Sequence, residues 1–195
     1  MNPSRGNQTS ENDSADYFDQ IETTSVGYLV WSDLPIKVYI ESVTPLGSRQ
    51  NWQAEVQSAV MEWGAYLPLA MVNQPEEADI EIFHRRPPLE PGKLRASSAE
   101  ARYRTFTTSA ADGVERLSHR FTIWLSPSQT GKYVAAAARH EFGHALGLWG
   151  HSLVATDVMY FSQVQEPPPI SDRDINTLKR IYQQPTRLGW PVSAL

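Results

Sequence analysis

Cysteine is absent from the 195 residues, and with it go disulfides, thiolate metal ligands and any thiol nucleophile. Chemistry on this chain must come from imidazoles, carboxylates, hydroxyls or the backbone. Also absent is an apolar run of the roughly 18 residues that a membrane-spanning helix needs, and the first residues lack the apolar stretch of a secretory signal. Basic residues are in deficit, 17 against 22 acidic ones for a net charge of −5. That balance supplies no general attraction for nucleic acid or an anionic membrane. The basic cluster His84-Arg85-Arg86 abuts Pro87-Pro88 and reads as a short exposed turn. Thr130-Gly131-Lys132 lacks the preceding glycine and the following hydroxyl of a phosphate loop. There is no internal repeat.

What the chain does have is a hydrophobic fraction of 41% and six tryptophans, enough for one packed domain. Residues 1–27 are rich in Asn, Ser, Gln, Asp, Glu and Thr and are expected to form a solvated, disordered tail ahead of a domain over 28–195. The triplets Asn7-Gln8-Thr9 and Asn12-Asp13-Ser14 match a glycosylation pattern that such a composition produces by chance. Alternation predicts strands over 34–40, 70–72 and 78–83. A hairpin is expected from 101–107 and 119–125, turning at Asp112-Gly113. Trp52, Val56, Ala59, Val60 and Trp63 recur at helical spacing, so 51–65 should be an amphipathic helix, and Trp52, Trp63 and Tyr66 belong to its core stripe. Residues 87–98 read as a loop, and alanine-rich 132–146 as a second helix. After Pro167-Pro168-Pro169, Ser171 is a plausible cap for a closing helix that buries Ile175, Leu178, Ile181 and Tyr182.

The second helix carries His140-Glu141-Phe142-Gly143-His144. Residues four apart on a helix lie about 40° from one another, so His140 and His144 offer two imidazoles to one point. Glu141 beside the first ligand can reach a water activated by the metal without entering its coordination shell. Were the helix to continue, His151 would stand about 16 Å beyond His140, too far to share an ion. Gly147 is where it can stop, since glycine accepts the left-handed conformation at no Cβ penalty. A turn there returns His151 as a third ligand and leaves a fourth position open, which is the arrangement of a catalytic site. His84 and His119, at strand ends, read as solvated or hydrogen-bonded residues.

This run, with Gly147, His151 and a downstream Asp157-Val158-Met159-Tyr160, resembles the metzincin clan of zinc endopeptidases. The wording His-Glu-Phe-Gly-His-Ala-Leu-Gly-Leu followed by Met-Tyr is most similar to the matrixins, the matrix metalloprotease type of catalytic domain. The resemblance covers roughly residues 28–185. It implies an α+β zincin fold: a twisted mixed sheet of about five strands, an active-site helix, a helix packed on the sheet and a small C-terminal subdomain. It implies one catalytic zinc, peptide or protein substrates, Met159 in a methionine turn beneath the metal, and Tyr160 and Phe161 near a substrate pocket. A secreted or extracytoplasmic location is also what the likeness favours. Oligomeric state is not legible.

The chain departs from the matrixin pattern in three ways. Leu148, Trp149 and Gly150 separate Gly147 from His151, where two residues are usual, so Gly150 takes the standard ligand position. The propeptide cysteine that blocks zinc in matrixin precursors has no counterpart, so latency must work otherwise. The clustered His and Asp of the family's second zinc and calcium sites are missing from 94–119, which has Asp112, two glutamates and His119; neither ion is carried over. Two rival readings stay open: Asp157 as an acidic third ligand, and a zinc-stabilised binding domain without catalysis.

Overall fold

The computed structural model describes residues 16–43, 52–89, 92, 97–109 and 112–194. Side chains alternate across a strand, and that period puts Ile36, Val38 and Ile40 of β1 (Ile36–Ile40) on the same buried face as Ile80 and Ile82 of β3 (Ile80–Phe83). With β2 (Leu69–Met71), β4 (Ala99–Ser109) and β5 (Glu115–Leu125) they form one sheet of order β2-β1-β3-β5-β4. β1 runs parallel to β2 and β3, and β3 runs parallel to β5. β4 pairs antiparallel with β5 and lies at the sheet edge. The α+β class and the five-stranded mixed sheet expected from the sequence are both present.

The hairpin is longer than its hydrophobic pattern suggests, running from Ala99 opposite Leu125 to Ser109 opposite Glu115. Residues 104–109 are exposed, so backbone pairing alone defines this extension and no alternation announces it.

The helix α1 (Trp52–Trp63) buries Trp52, Val56, Ala59, Val60 and Trp63 as their spacing predicts, whereas Tyr66, expected in the same core stripe, lies beyond the helix end and is exposed; Asn51 lies outside the described residues. The helix α2 (Lys132–Ala145) packs beside it. Trp63 Nε1 donates to the Arg139 carbonyl at 3.1 Å, and the Arg139 guanidinium meets the Glu62 carboxylate with two contacts of 2.7 Å. The helix α3 (Asp172–Ile181) starts at Ser171 in a capping box completed by Asp174. It buries Leu178 and Ile181, while Ile175 and Tyr182 are half-buried. No helix among the described residues is long and apolar enough to cross a membrane.

The expectation of a tail over 1–27 fails from Asp16 onward. Tyr17 is buried and donates its hydroxyl to Asp174 at 2.6 Å, while its backbone N–H reaches Thr177 Oγ1 at 3.0 Å. Val26, Leu29, Val30 and Trp31 then join the core. An average over a polar segment conceals single apolar anchors whose partners lie far away in sequence. Residues 1–15, with both glycosylation-pattern triplets, and most of the loop over 90–96 lie outside the described residues.

His119 also departs from its reading as a solvated or hydrogen-bonded residue. It is 5% exposed, its ring stacks on Trp31 at 3.8 Å, and its Nε2 has no hydrogen-bond partner. His84 instead packs its ring 4.6 Å from that of Trp52. Burial holds His119 neutral, with a pKa lowered from 6.5 to about 3. Between those values the unfolded chain binds a proton that the folded chain excludes, so this stability is present above pH 6.5 and lost as pH falls towards 3. Replacing the ring by one without a buried, unpaired nitrogen should therefore flatten the pH dependence. In chelator-treated protein, His119→Phe is expected to be at least as stable as the parent near neutral pH and to lose less of its urea midpoint on acidification. An unchanged pH slope would show that His119 does not carry this linkage.

Candidate metal centre

α2 is built to end where the site needs it to end. The Leu148 N–H donates to the Gly143 carbonyl at 3.1 Å and the Gly147 N–H to His144 at 3.1 Å, a Schellman closure with Gly147 at φ +117°. A Cβ at Gly147 would stand 2.6 Å from the Leu29 carbonyl oxygen, so the glycine serves both the left-handed turn and a close backbone approach. Two tight reversals follow, Trp149 N–H to the Gly147 carbonyl at 2.7 Å and Gly150 N–H to the Leu148 carbonyl at 2.9 Å. They absorb the extra residue and return His151 to the helix. The ligand atoms of His140, His144 and His151 lie within 4.8 Å of one another.

Two of the rings are held by backbone carbonyls. His140 Nδ1 is 2.8 Å from the Val158 oxygen and His144 Nδ1 is 2.7 Å from that of Leu148. Each contact fixes the ring and leaves Nε2 for an ion. Burial lowers the His140 pKa to about 4 and holds that of His144 well below its ordinary value. Burial also lowers His151, against the opposing charge of Glu22. Neutral imidazoles are the ligating form, so the donor set suits zinc. Glu141 sits among them with only 9% exposure, and burial raises its carboxyl to about 8, opposed by a hydrogen bond from the Ala101 backbone and assisted by the charge of Glu100.

Below the triad, the loop 152–161 is tied to itself by Ser152 N–H to the Met159 carbonyl at 2.8 Å and Phe161 N–H to the Ser152 carbonyl at 3.3 Å. Met159 is fully buried, and a Cβ on Gly143 would collide with its sulfur. Gly143, between the two helical histidines, thus lets the methionine pack directly on α2. Asp174 takes the N–H groups of Val158 at 2.9 Å and Met159 at 3.4 Å, which fixes this turn to α3. Neither Gly143 nor Asp174 stands out as a site residue in the sequence, although Ser171-x-x-Asp174 is a readable capping pattern.

Asp157 does not join the histidines. Its buried carboxylate accepts from the hydroxyls of Ser152 and Ser171 and pairs with Arg173 Nε at 3.0 Å. Every partner is structural.

Two hollows meet at the site. One, of about 300 Å³, is lined by the triad with Glu22, Glu141 and Trp149. The other, of about 220 Å³, has Tyr133, Ala137, Val158, Tyr160 and Phe161 among its walls. They share Ala99, His140 and Glu141, so one cleft crosses the histidine cluster.

The family model for matrixin matches residues 30–183, well over half of the chain. The chain belongs to the matrixin family. Matrixins are zinc-dependent metalloendopeptidases, which accounts for a histidine triad in an open cleft and makes peptides or proteins the substrates. None of the curated proteins matches the chain.

Asp157→Ala leaves the three histidines intact while depriving the Ser152 and Ser171 hydroxyls and the half-buried Arg173 of their shared acceptor, so it should retain zinc and lose roughly 1–3 kcal/mol of stability. Chelator competition and urea unfolding measure the two effects separately. Loss of zinc from a variant that is still folded would restore the aspartate as third ligand.

Proposed function

We propose that this matrixin cleaves internal bonds of extended peptides, with His140, His144 and His151 holding the zinc and Glu141 acting as general base. The observation that carries the reading is the position of Glu141, which is buried beside the triad where the two hollows join. Zinc held there supplies a Lewis acid that polarises the scissile carbonyl and acidifies water, and its charge favours the ionised form of Glu141. Glu141 then accepts the proton of the attacking water and returns it to the departing amine. Burial raises this carboxyl while the charge of the ion opposes the rise, so the two together bring acceptance and release of the proton towards balance.

The edge strand supports an extended substrate. Among the described residues β4 has a neighbouring strand on one side only, and Ala99, at its start, lines both hollows beside Glu141. A peptide added along that edge gains main-chain hydrogen bonds and presents alternate side chains to the cleft. The hollow walled by Ala137, Val158, Tyr160 and Phe161 takes an apolar side chain next to the cleaved bond. Met159 acts below as packing for the helical ligands, through its contact at Gly143.

The purified chain is expected to hold one zinc and to cut a peptide library in a chelator-sensitive manner, with mass spectrometry locating the bonds. Glu141→Gln should keep the zinc and lose nearly all turnover, since the amide cannot accept the proton; full turnover would remove the glutamate from this role. Met159→Leu is a nearly volume-conserving exchange, so it should cost under about 1.5 kcal/mol and lower activity modestly. Near-complete inactivation of that variant, still folded and zinc-loaded, would instead give the sulfur a direct part in catalysis.

A further inference from the structure

The matrixin match begins at residue 30, yet the segment just before it forms part of the cleft. Ile21 makes an antiparallel bridge with Gly150, and the Glu22 N–H donates to the Trp149 carbonyl at 2.8 Å. A Cβ on Gly150 would run into the Gln20 carbonyl oxygen, so the extra residue of the histidine loop is the one on which this segment rests. Tyr17 at its start is anchored to Asp174 and Thr177. The segment is thus a strap held at both ends, and it brings Glu22 to the wall of the hollow of about 300 Å³.

The two hollows of the cleft differ in charge. The one beside Val158, Tyr160 and Phe161 has Arg139 and Asp157 in its walls, and both are paired, with Glu62 and Arg173. The other has Glu22 and Glu100 in addition to Glu141, and no lysine or arginine lines it. Glu100 is already answered by Arg102 at 2.5 Å. Glu22 is exposed and forms no ion pair among the described residues. On an open surface such a carboxylate would be an ordinary solvated group, but here it stands in the cleft of a peptidase, where a substrate must pass it. Unpaired negative charge there selects for a group that brings positive charge. Trp149, half-buried in the same wall, supplies apolar surface along which the methylenes of a long basic side chain can lie.

We propose that Glu22 is a specificity-determining residue: its carboxylate receives the ammonium or guanidinium group of a substrate lysine or arginine, on the opposite side of the cleaved bond from the apolar side chain. The proposal rests on the reading of the cleft as the place where an extended peptide is cut. Because the hollows meet at Ala99, His140 and Glu141, a peptide that crosses them sets its residues before and after the bond in surroundings of different charge. Selectivity for a basic residue then comes from a segment outside the stretch that the matrixin model matches.

The test uses the full chain loaded with zinc. After library digestion has located the cleaved bonds, kcat/KM is measured on peptides that differ only at this position, with lysine or arginine in one and glutamine in the other. The parent should favour the basic peptide about fivefold, the upper range of an exposed ion pair. In Glu22→Gln the ratio should fall to near one at the parent's zinc content, and Glu22→Lys should turn the preference towards a glutamate peptide. Salt of about 1 M, where charges are screened within about 3 Å, should erase the parent's preference. A basic preference that survives in Glu22→Gln overturns the proposal, and so does a parent that treats basic and neutral peptides alike. A zinc-loaded chain that cuts no peptide sinks the proposed reaction and this inference with it, whereas cutting without the basic preference sinks this inference alone.

Discussion

The arrangement depends above all on one buried carboxylate. Asp174 is fully enclosed and accepts the Tyr17 and Ser171 hydroxyls together with the backbone N–H groups of Val158, Met159 and Ser171. Burying a carboxylate is costly unless donors replace its water, and here the five donors come from three parts of the architecture. Three separate stretches, the N-terminal strap, the methionine loop and the first turn of α3, are thereby required to converge on one point. Val158, held in this way, presents its carbonyl to His140 Nδ1. The orientation of the first histidine is thus traceable to a residue 34 positions further along the chain.

The three histidines differ in how they are supported, and the difference follows from helix geometry. His140 and His144 stand on α2, which is braced by Trp63 and Glu62 on one side and by Trp31 Nε1, bonded to the Ala145 carbonyl at 2.8 Å, at its end. Their relative position is set by the pitch of a braced helix. His151 has no such support. Its place comes from the Gly147 closure, the two tight reversals and the strap that bears on Gly150, so its precision is only as good as those contacts. A longer ligand loop is compatible with a converging triad because something outside the loop presses on it.

Much of this was legible in the sequence where the governing spacing is local. The four-residue interval of His140 and His144, the stop at Gly147, the α1 stripe and the cap at Ser171 each involve neighbours within a turn or two. The strap was not legible, because Tyr17 meets Asp174 across 157 residues and a polar average hides a single buried tyrosine. Gly143 has the same problem in reverse: within the motif it looks like an unspecified position, and its necessity appears only when Met159 is brought against it. Gly150 reads as an inserted spacer until the Gln20 carbonyl is placed beside it. Even the hairpin, correctly typed, was shortened, since exposed pairs leave no hydrophobic trace.

Desolvation gives the centre a common electrostatic character. Burial drives His140 and His144 towards their neutral forms and drives Glu141 towards its protonated one, so each group shifts towards having no charge. The site can consequently remain packed without leaving isolated charges in a poorly solvated cleft. Neutral histidines need shed no proton to ligate, whereas the Glu141 carboxyl ionises most readily when a cation stands beside it. The same burial that suppresses charge without metal makes a cation–carboxylate attraction stronger once the metal is there, because less water screens it. In the proposed mechanism, burial of the helical motif therefore does two jobs: it keeps the histidines in their neutral form, and it ties the basicity of Glu141 to the presence of a neighbouring cation.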